Sequence, residues 1–195
     1  MPNNPSKNRR RSIRLEGYDY SQRAGYFVTI CVQDRGCIFG TIANGTMRMN
    51  TIGRIIEEEW LLTPGIRPTV ELDRFVVMPN HVHGILYLLG DGGGAAQHPP
   101  ESVGANGYSP LRRRPFESPS MTIGAILRGF KGASTKRVNQ FRNTPGHRVW
   151  QRNYYEHIIR NEKELSRIQA YIIDNPLQWS NDPDNPLRTI PRISV

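Results

Sequence analysis

The stretch Met78–Tyr87 (MPNHVHGILY) carries two histidines separated by a single valine inside an apolar run. Because side chains alternate between the two faces of a strand, His81 and His83 should project from the same face. The Pro-Asn joint before them is so short that residues 69–78 and 81–89 are predicted to pair as an antiparallel hairpin. One sheet face would therefore offer two imidazoles, either as ligands for one metal ion or as donors to one phosphate.

Hydrophobic periodicity on both sides of this hairpin predicts the elements that surround it. The expected elements are strands at 24–33, 69–78, 81–89 and 149–159, a short hairpin around Asn44-Gly45, helices at 51–62 and 121–141, and a third helix that starts at Asn161 and is stopped by Pro176. In the first helix we expect the acidic run Glu57–Glu59 to face mostly outward and Thr63-Pro64-Gly65 to end the helix.

The chain carries a formal charge of +9 and has a pI near 10.0. This balance favours a polyanionic partner such as nucleic acid over a charge that serves solubility alone. A solvated, flexible tail is the alternative for the N-terminal cluster. The basic side chains expected to contact DNA are Arg9, Arg10, Arg11 and Arg14 of the N-terminal arm, Arg128, Lys131, Lys136 and Arg137 of the second helix, and Arg152.

At 195 residues the chain is long enough for one domain with extensions. We expect a basic arm at 1–20, a domain at 21–180 interrupted by a glycine- and proline-rich insertion at 90–120, and a proline-rich tail at 181–195. Two unpaired cysteines, no apolar leader and no run of membrane-spanning length indicate a cytoplasmic protein with no membrane partner.

The third helix supplies a candidate nucleophile and a further candidate metal ligand. Tyr171 and Asn175 are four residues apart and therefore lie on one helix face. A tyrosine hydroxyl beside a metal held by His81 and His83 could attack a phosphodiester. The amide oxygen of Asn175 would suit a hard ion, Mg²⁺ or Mn²⁺.

With these residues the sequence resembles the HUH superfamily of single-tyrosine transposases, which includes IS200-like enzymes, and within it the REP-associated tyrosine transposase group. His81-Val82-His83 matches the His–hydrophobic–His motif in its MPNHVHGI setting. The resemblance covers about residues 9–180, and its other matching segments are 11–20, 26–29, 130–137, 150–161 and 171–176.

The resemblance implies an α+β fold: a ferredoxin-like antiparallel sheet (β-α-β-β-α-β) and a C-terminal helix that carries the nucleophilic Tyr171. It implies metal-dependent cleavage and rejoining of single-stranded DNA at hairpin-flanked, REP-like sequences, through a 5′-phosphotyrosine and a free 3′-hydroxyl. Asn175 falls where the group has its third metal ligand. No nucleotide cofactor is expected, because the phosphotyrosine bond conserves the energy of the broken one. The protein would act near the bacterial nucleoid, as a monomer or a homodimer.

Several alternatives stay open at this point. Tyr154 and Tyr155 are rival nucleophiles, for which packing or base stacking is the other interpretation. Glu156 and His157 are candidates for a second shell around the site or for substrate contacts, with a structural histidine as the alternative. The whole chain could be a non-catalytic DNA-hairpin-binding protein. It could also be an RNA-binding ferredoxin-like module, although the histidine pair argues against that function.

Overall fold

The computed structural model describes residues 24–89 and 122–188. The predicted basic arm, with Arg9, Arg10, Arg11 and Arg14, and the predicted insertion at 90–120 lie outside the described residues.

The described residues form a four-stranded sheet and a separate two-stranded hairpin. The strands are β1 (Ala24–Cys31), β2 (Gly40–Ala43), β3 (Thr46–Met49), β4 (Val70–Val77), β5 (His81–Leu88) and β6 (Tyr155–Ile159). The main sheet has the order β4-β5-β1-β6, and every neighbouring pair in it is antiparallel. Between β2 and β3, Asn44 and Gly45 have φ angles of 53° and 70°, the left-handed pair that a tight hairpin turn requires.

Four helices complete the described part of the fold: α1 (Thr51–Leu61), α2 (Thr63–Ile66), α3 (Ile123–Arg142) and α4 (Glu162–Asp174). Each long helix begins behind a side chain that accepts a backbone N–H of its first turn: Asn50, Thr122 and Asn161. The order β1-α1-β4-β5-α3-β6 and the sheet order confirm the expected ferredoxin-like β-α-β-β-α-β fold, with α4 after it.

The two faces of the sheet are covered by different helices. On one face, α1 and α3 pack over the largest buried cluster, which includes Tyr26 and Val28 of β1. On the other face, α4 places Ile168 and Ile172 against Phe27 and Ile85. The register pairs Thr29 with His83 and Cys31 with His81, so the histidines project from the α4 face, as the alternation of side chains requires.

The first helix ends at Leu61, just before Thr63-Pro64-Gly65, as predicted. The same three residues also open the short helix α2, which was not predicted, because proline is tolerated in the first turn of a helix. Glu59 does not face outward: its side chain is only 8 % exposed, and its carboxylate accepts a hydrogen bond from Arg137 at 2.9 Å. The positive charge of Arg137 on α3 thus compensates the Glu59 carboxylate that is buried between α1 and α3.

The predicted strand at 149–159 is observed only as β6, Tyr155–Ile159. Val149 and Trp150 are buried, Trp150 makes an isolated bridge to Val32, and the Gln151 N–H still donates to the Cys31 carbonyl oxygen of β1. The carbonyl oxygens of residues 151–153 instead accept hydrogen bonds from the ammonium group of Lys131, at 3.0, 3.4 and 3.0 Å. The Lys131 side chain of α3 therefore supplies hydrogen bonds to backbone carbonyl groups that have no partner in the sheet.

Candidate active site

His81 and His83 lie at the start of β5 with their rings 4.4 Å apart between centroids. Both side chains are almost fully buried, at 0 % and 3 % exposure. Each Nδ1 atom has a close oxygen partner: Asn80 Oδ1 at 2.9 Å for His81, and Thr29 Oγ1 at 2.8 Å for His83. These contacts orient both rings, in the way that an outer hydrogen bond orients a metal-ligating histidine.

The contacts of Asn80 fix the tautomer of His81. The Asn80 amide nitrogen donates to the carbonyl oxygens of Arg35 and Asp184, at 2.9 and 2.7 Å. The amide oxygen is therefore the atom that faces His81 Nδ1, and that nitrogen must carry the proton. His81 Nε2 is left with a lone pair, and this buried atom has no hydrogen-bond partner among the described residues.

Helix α4 brings Tyr171 and Asn175 to the histidines, on the shared face that their spacing predicts. The Tyr171 hydroxyl lies 3.3 Å from His83 Nε2, and its ring is half-exposed. Asn175 caps the C-terminus of α4 and is buried, and its Oδ1 atom has no hydrogen-bond partner within residues 24–89 and 122–188. Two buried polar atoms, one on His81 and one on Asn175, thus lack partners around the same site.

Sequence reasoning missed Asp182, which the structure brings to the histidines. Its Oδ1 atom accepts the backbone N–H of Asp184 at 2.6 Å, and its Oδ2 atom lies 3.9 Å from His81 Nε2. One ligand atom from each of His81, His83 and Asp182 lies within 4.8 Å of the others, and all three residues are buried. The signal was present as the acidic Asp-Pro-Asp at 182–184, within a segment that the sequence analysis assigned to the tail.

The segment after α4 is held in place by several contacts. Besides the bond from Asn80, the Arg35 guanidinium donates to the Pro183 carbonyl oxygen at 3.3 Å and pairs with the Asp184 carboxylate at 3.5 Å. The position of Asp182 is therefore fixed by the β1–β2 connection and by the turn that precedes β5. The predicted boundary at 180 would have separated Asp182 from the domain into which it is built.

Burial and charge set the protonation of the site. Burial lowers the pKa of His81, although the carboxylates of Asp182 and Asp184 oppose the shift. Burial, and secondarily His81, lowers the pKa of His83 well below its usual value. Burial also raises the pKa of the Tyr171 phenol, with a further contribution from Asp182. The site thus combines two neutral nitrogen donors with a carboxylate, a donor set that fits a divalent cation.

A cavity of about 400 Å³ opens beside this group. Its described lining includes His83, Tyr171, Asp182 and Asp184 but no lysine or arginine. A phosphodiester in this cavity would face two carboxylates, so a cation is needed to make the site attractive to it.

Of the two predicted outer residues, the structure brings one to the histidine face. His157 pairs with Phe27 in the register and so lies on that face, where its Nε2 atom is 2.7 Å from Glu164 Oε1. Glu156 pairs with Val28 and projects toward the opposite face, the side of α1 and α3. The structure therefore does not bring Glu156 to the histidines.

The predicted DNA-contacting residues of α3 lie on the far side of the sheet from the histidines. Arg128 and Lys136 are exposed there, and Arg152 is exposed in the segment before β6. Lys131 binds backbone carbonyls, and Arg137 pairs with Glu58 and Glu59. Lys131 and Arg137 therefore already have acceptors within the fold, and their contact with phosphates stays a prediction.

The three tyrosine candidates all line the cavity beside His83, but they differ in their contacts. Tyr154 is partly buried against the α1/α3 core, with the Lys131 ammonium group 5.3 Å from the centre of its ring. Tyr155 is exposed on the histidine face and meets Phe27 edge-to-face. Of these three, Tyr171 is the one whose hydroxyl lies within hydrogen-bond distance of His83.

No helix in the described part of the chain is long and apolar enough to span a bilayer.

No protein-family model matches the chain. An uncharacterized protein of Haemophilus influenzae is 41 % identical over 177 residues, which cover 89 % of this chain and 91 % of that protein.

Among solved structures, the chain is similar to a REP-associated tyrosine transposase bound to a REP hairpin, with a TM-score of 0.53 and 20 % identity over 87 % of this chain and 81 % of that one. A proposed transposase of Deinococcus radiodurans also matches, with 20 % identity over 84 % of this chain and 96 % of that one. Its TM-score of 0.39 is too low to support a conclusion about the fold. The chain therefore belongs to the same family as the Haemophilus influenzae protein, and its fold is that of a REP-associated tyrosine transposase.

Proposed function

We propose that this protein is a metal-dependent single-stranded DNA endonuclease and strand transferase that uses Tyr171 as its nucleophile. The observation that carries the proposal is the Tyr171 hydroxyl, 3.3 Å from His83 Nε2, at the edge of the buried His81–His83–Asp182 group. The proposal is supported by the cavity lining, in which the candidate nucleophile Tyr171 lies with His83 and Asp182, from α4, β5 and the segment after α4.

His81, His83 and Asp182 would hold the cation. Asn175, whose buried Oδ1 atom has no hydrogen-bond partner among the described residues, is close enough to His81 to influence its pKa. This set revises the one expected from the sequence, in which Asn175 was the third ligand. Oxygen donors from Asp182 and Asn175 favour Mg²⁺ or Mn²⁺. The bound cation would supply a positive field for the charge that develops on the phosphate in the transition state.

In the proposed reaction the Tyr171 oxygen forms a bond to phosphorus as the bond between phosphorus and the 3′-oxygen breaks. The phenol gives up its proton, the departing 3′-oxygen gains one, and the products are a 5′-phosphotyrosine and a 3′-hydroxyl. Rejoining reverses the path with a different 3′-hydroxyl. Burial raises the pKa of Tyr171, so a nearby positive charge would be needed to favour the attacking phenolate.

The proposed substrate is single-stranded DNA that carries a hairpin. Support comes from the net charge of +9 and from the structurally similar transposase, which is described as bound to a REP hairpin. Arg128, Lys136 and Arg152 are exposed and lie outside the cavity, so they are available to bind the hairpin rather than the scissile phosphate.

The test is a covalent-adduct assay on a denaturing gel. Purified protein is mixed with labelled, hairpin-containing single-stranded DNA from the genome that flanks its gene, with Mn²⁺ or with EDTA. We expect a Mn²⁺-dependent shifted band that Tyr171→Phe abolishes and the matched control Tyr155→Phe retains. A band that persists in Tyr171→Phe would refute the assignment of the nucleophile. Tight hairpin binding with no adduct in any metal would instead indicate a non-catalytic DNA-hairpin-binding protein.

A further inference from the structure

Tyr155 stands between two cavities on the histidine face. The first is the cavity of about 400 Å³ beside His83. The second, of about 270 Å³, lies on the side of Arg167 and His157. Phe27, Tyr155 and Tyr171 line both cavities, so these aromatic side chains form the ridge over which a ligand would pass from one cavity to the other.

The ring of Tyr155 is placed as a platform rather than as a core residue. It lies on the edge strand β6, opposite Thr29, and its side chain is 49 % exposed. Its closest described ring neighbour is Phe27, at 6.2 Å between centroids and 67° between planes. An edge-to-face contact of this kind supports the ring from one side and leaves a face for a ligand.

The first cavity also has polar groups that are free to bind a ligand. Gln151 and Asn153 line it, and neither side-chain amide makes a hydrogen bond within the described ranges. Their backbone is fixed, because the Lys131 ammonium group binds the carbonyl oxygens of residues 151–153. Two amides on a rigid segment beside an exposed aromatic ring are suited to the polar edge and the flat face of a nucleobase.

We propose that Tyr155 stacks on the nucleobase next to the scissile phosphate, and that the cavity beside His83 accommodates this nucleotide. Gln151 and Asn153 contact the edge of the base. The strand then continues past Tyr171 into the second cavity, where Arg167, the one lysine or arginine in the described lining of either cavity, meets the following phosphate. This inference rests on the proposed function, since it names how the same site holds its single-stranded DNA.

The first experiment follows the stacking directly. A DNA hairpin with single-stranded arms carries 2-aminopurine at successive arm positions and is titrated with the full-length protein and its variants. Wild type, Tyr155→Phe and the control Phe141→Leu, which changes an exposed aromatic of α3, should quench the fluorescence at one arm position. Tyr155→Leu should abolish that quenching and weaken binding by roughly 5- to 150-fold.

The outcomes distinguish this inference from the proposed function. Quenching that survives Tyr155→Leu, with normal adduct formation, would overturn the stacking role alone. Loss of the adduct in Tyr155→Phe, which keeps the ring and removes only the hydroxyl, would count against both proposals, because it would implicate the Tyr155 oxygen in the reaction. Failure of the wild-type protein both to bind this DNA and to form an adduct would overturn both proposals.

A second measurement uses the unmodified protein and does not depend on the folding of a variant. 5-Iodouracil replaces the base at the quenched arm position, the complex is irradiated, and the cross-linked peptide is identified by mass spectrometry. We expect the cross-link at Tyr155. A cross-link confined to residues outside the two cavities would overturn the inference.

Discussion

The assignment of Asp182 as the third ligand predicts a specific loss of metal binding in Asp182→Asn. The substitution keeps an oxygen donor and removes one negative charge that lies 3.9 Å from His81 Nε2. Even at a separation of about 4 Å, longer than that of a direct ligand, a divalent cation and a carboxylate attract each other by about 2 kcal/mol in bulk water and by about 8 kcal/mol at an effective dielectric constant of 20. Even the weaker attraction corresponds to a loss of affinity of about 30-fold.

The measurement is Mn²⁺ affinity by electron paramagnetic resonance titration, in the absence of DNA. Asp184→Asn is the matched control, because it removes the same charge from a carboxylate only two residues further along the chain. That carboxylate pairs with Arg35. Because the Arg35 guanidinium offsets the charge of Asp184, we expect a change in affinity below about 5-fold. Equal losses in the two variants would mean that the general field, and not ligation, is responsible. If Asn175→Ala abolishes binding and Asp182→Asn does not, the amide is the third ligand, as the sequence alone suggested.

Two further predictions concern the scaffold. A methyl group at Gly84 would lie 2.5 Å from Trp60 Cζ2, so Gly84→Ala should destabilise the fold by about 1–3 kcal/mol in urea titrations. Gly132→Ala in α3 meets nothing within 4 Å and should stabilise it by about 0.5–1 kcal/mol; a similar loss in both would contradict the steric argument. Burial lowers the pKa of Lys131 to about 8, against a small opposing effect of Cys31. Above pH 8 the unfolded chain keeps this proton longer than the folded one, so the residue's contribution to stability should rise with pH up to about 10.5, the usual lysine pKa. Comparison with Lys131→Met at pH 7, 8 and 9 tests this; a difference that is flat or of opposite sign would count against it.

The parts of the site that were predictable from sequence are those that depend on local periodicity. Alternation along a strand placed His81 and His83 on one face, and helical spacing placed Tyr171 and Asn175 together. In each case the geometry is set within a few residues, so no knowledge of the tertiary fold is required.

What could not be predicted are contacts between segments far apart in the chain. Glu59 follows the outward pattern of its helix, but Arg137 on α3 makes its burial possible. Lys131 resembles a surface phosphate contact until the path of residues 151–153 is known. Asp182 lies in a proline-rich segment without periodicity, and its position depends on bonds to Asn80 and Arg35. Such pairings carry no signature in one sequence.

The hydrogen bond between Asn80 and Asp184 joins residues that are 104 positions apart in the chain. The contact of Asp182 with His81 joins the same two segments, the start of β5 and the segment after α4. A cation shared by these segments would act as a reversible cross-link, and its stabilisation of the closed chain would grow with the logarithm of its concentration relative to its dissociation constant. Molecules in which the segment after α4 has not yet docked would lack a complete ligand set. Metal binding would therefore depend on this docking, so that only a chain with the segment after α4 in place would carry the complete ligand set of the proposed site.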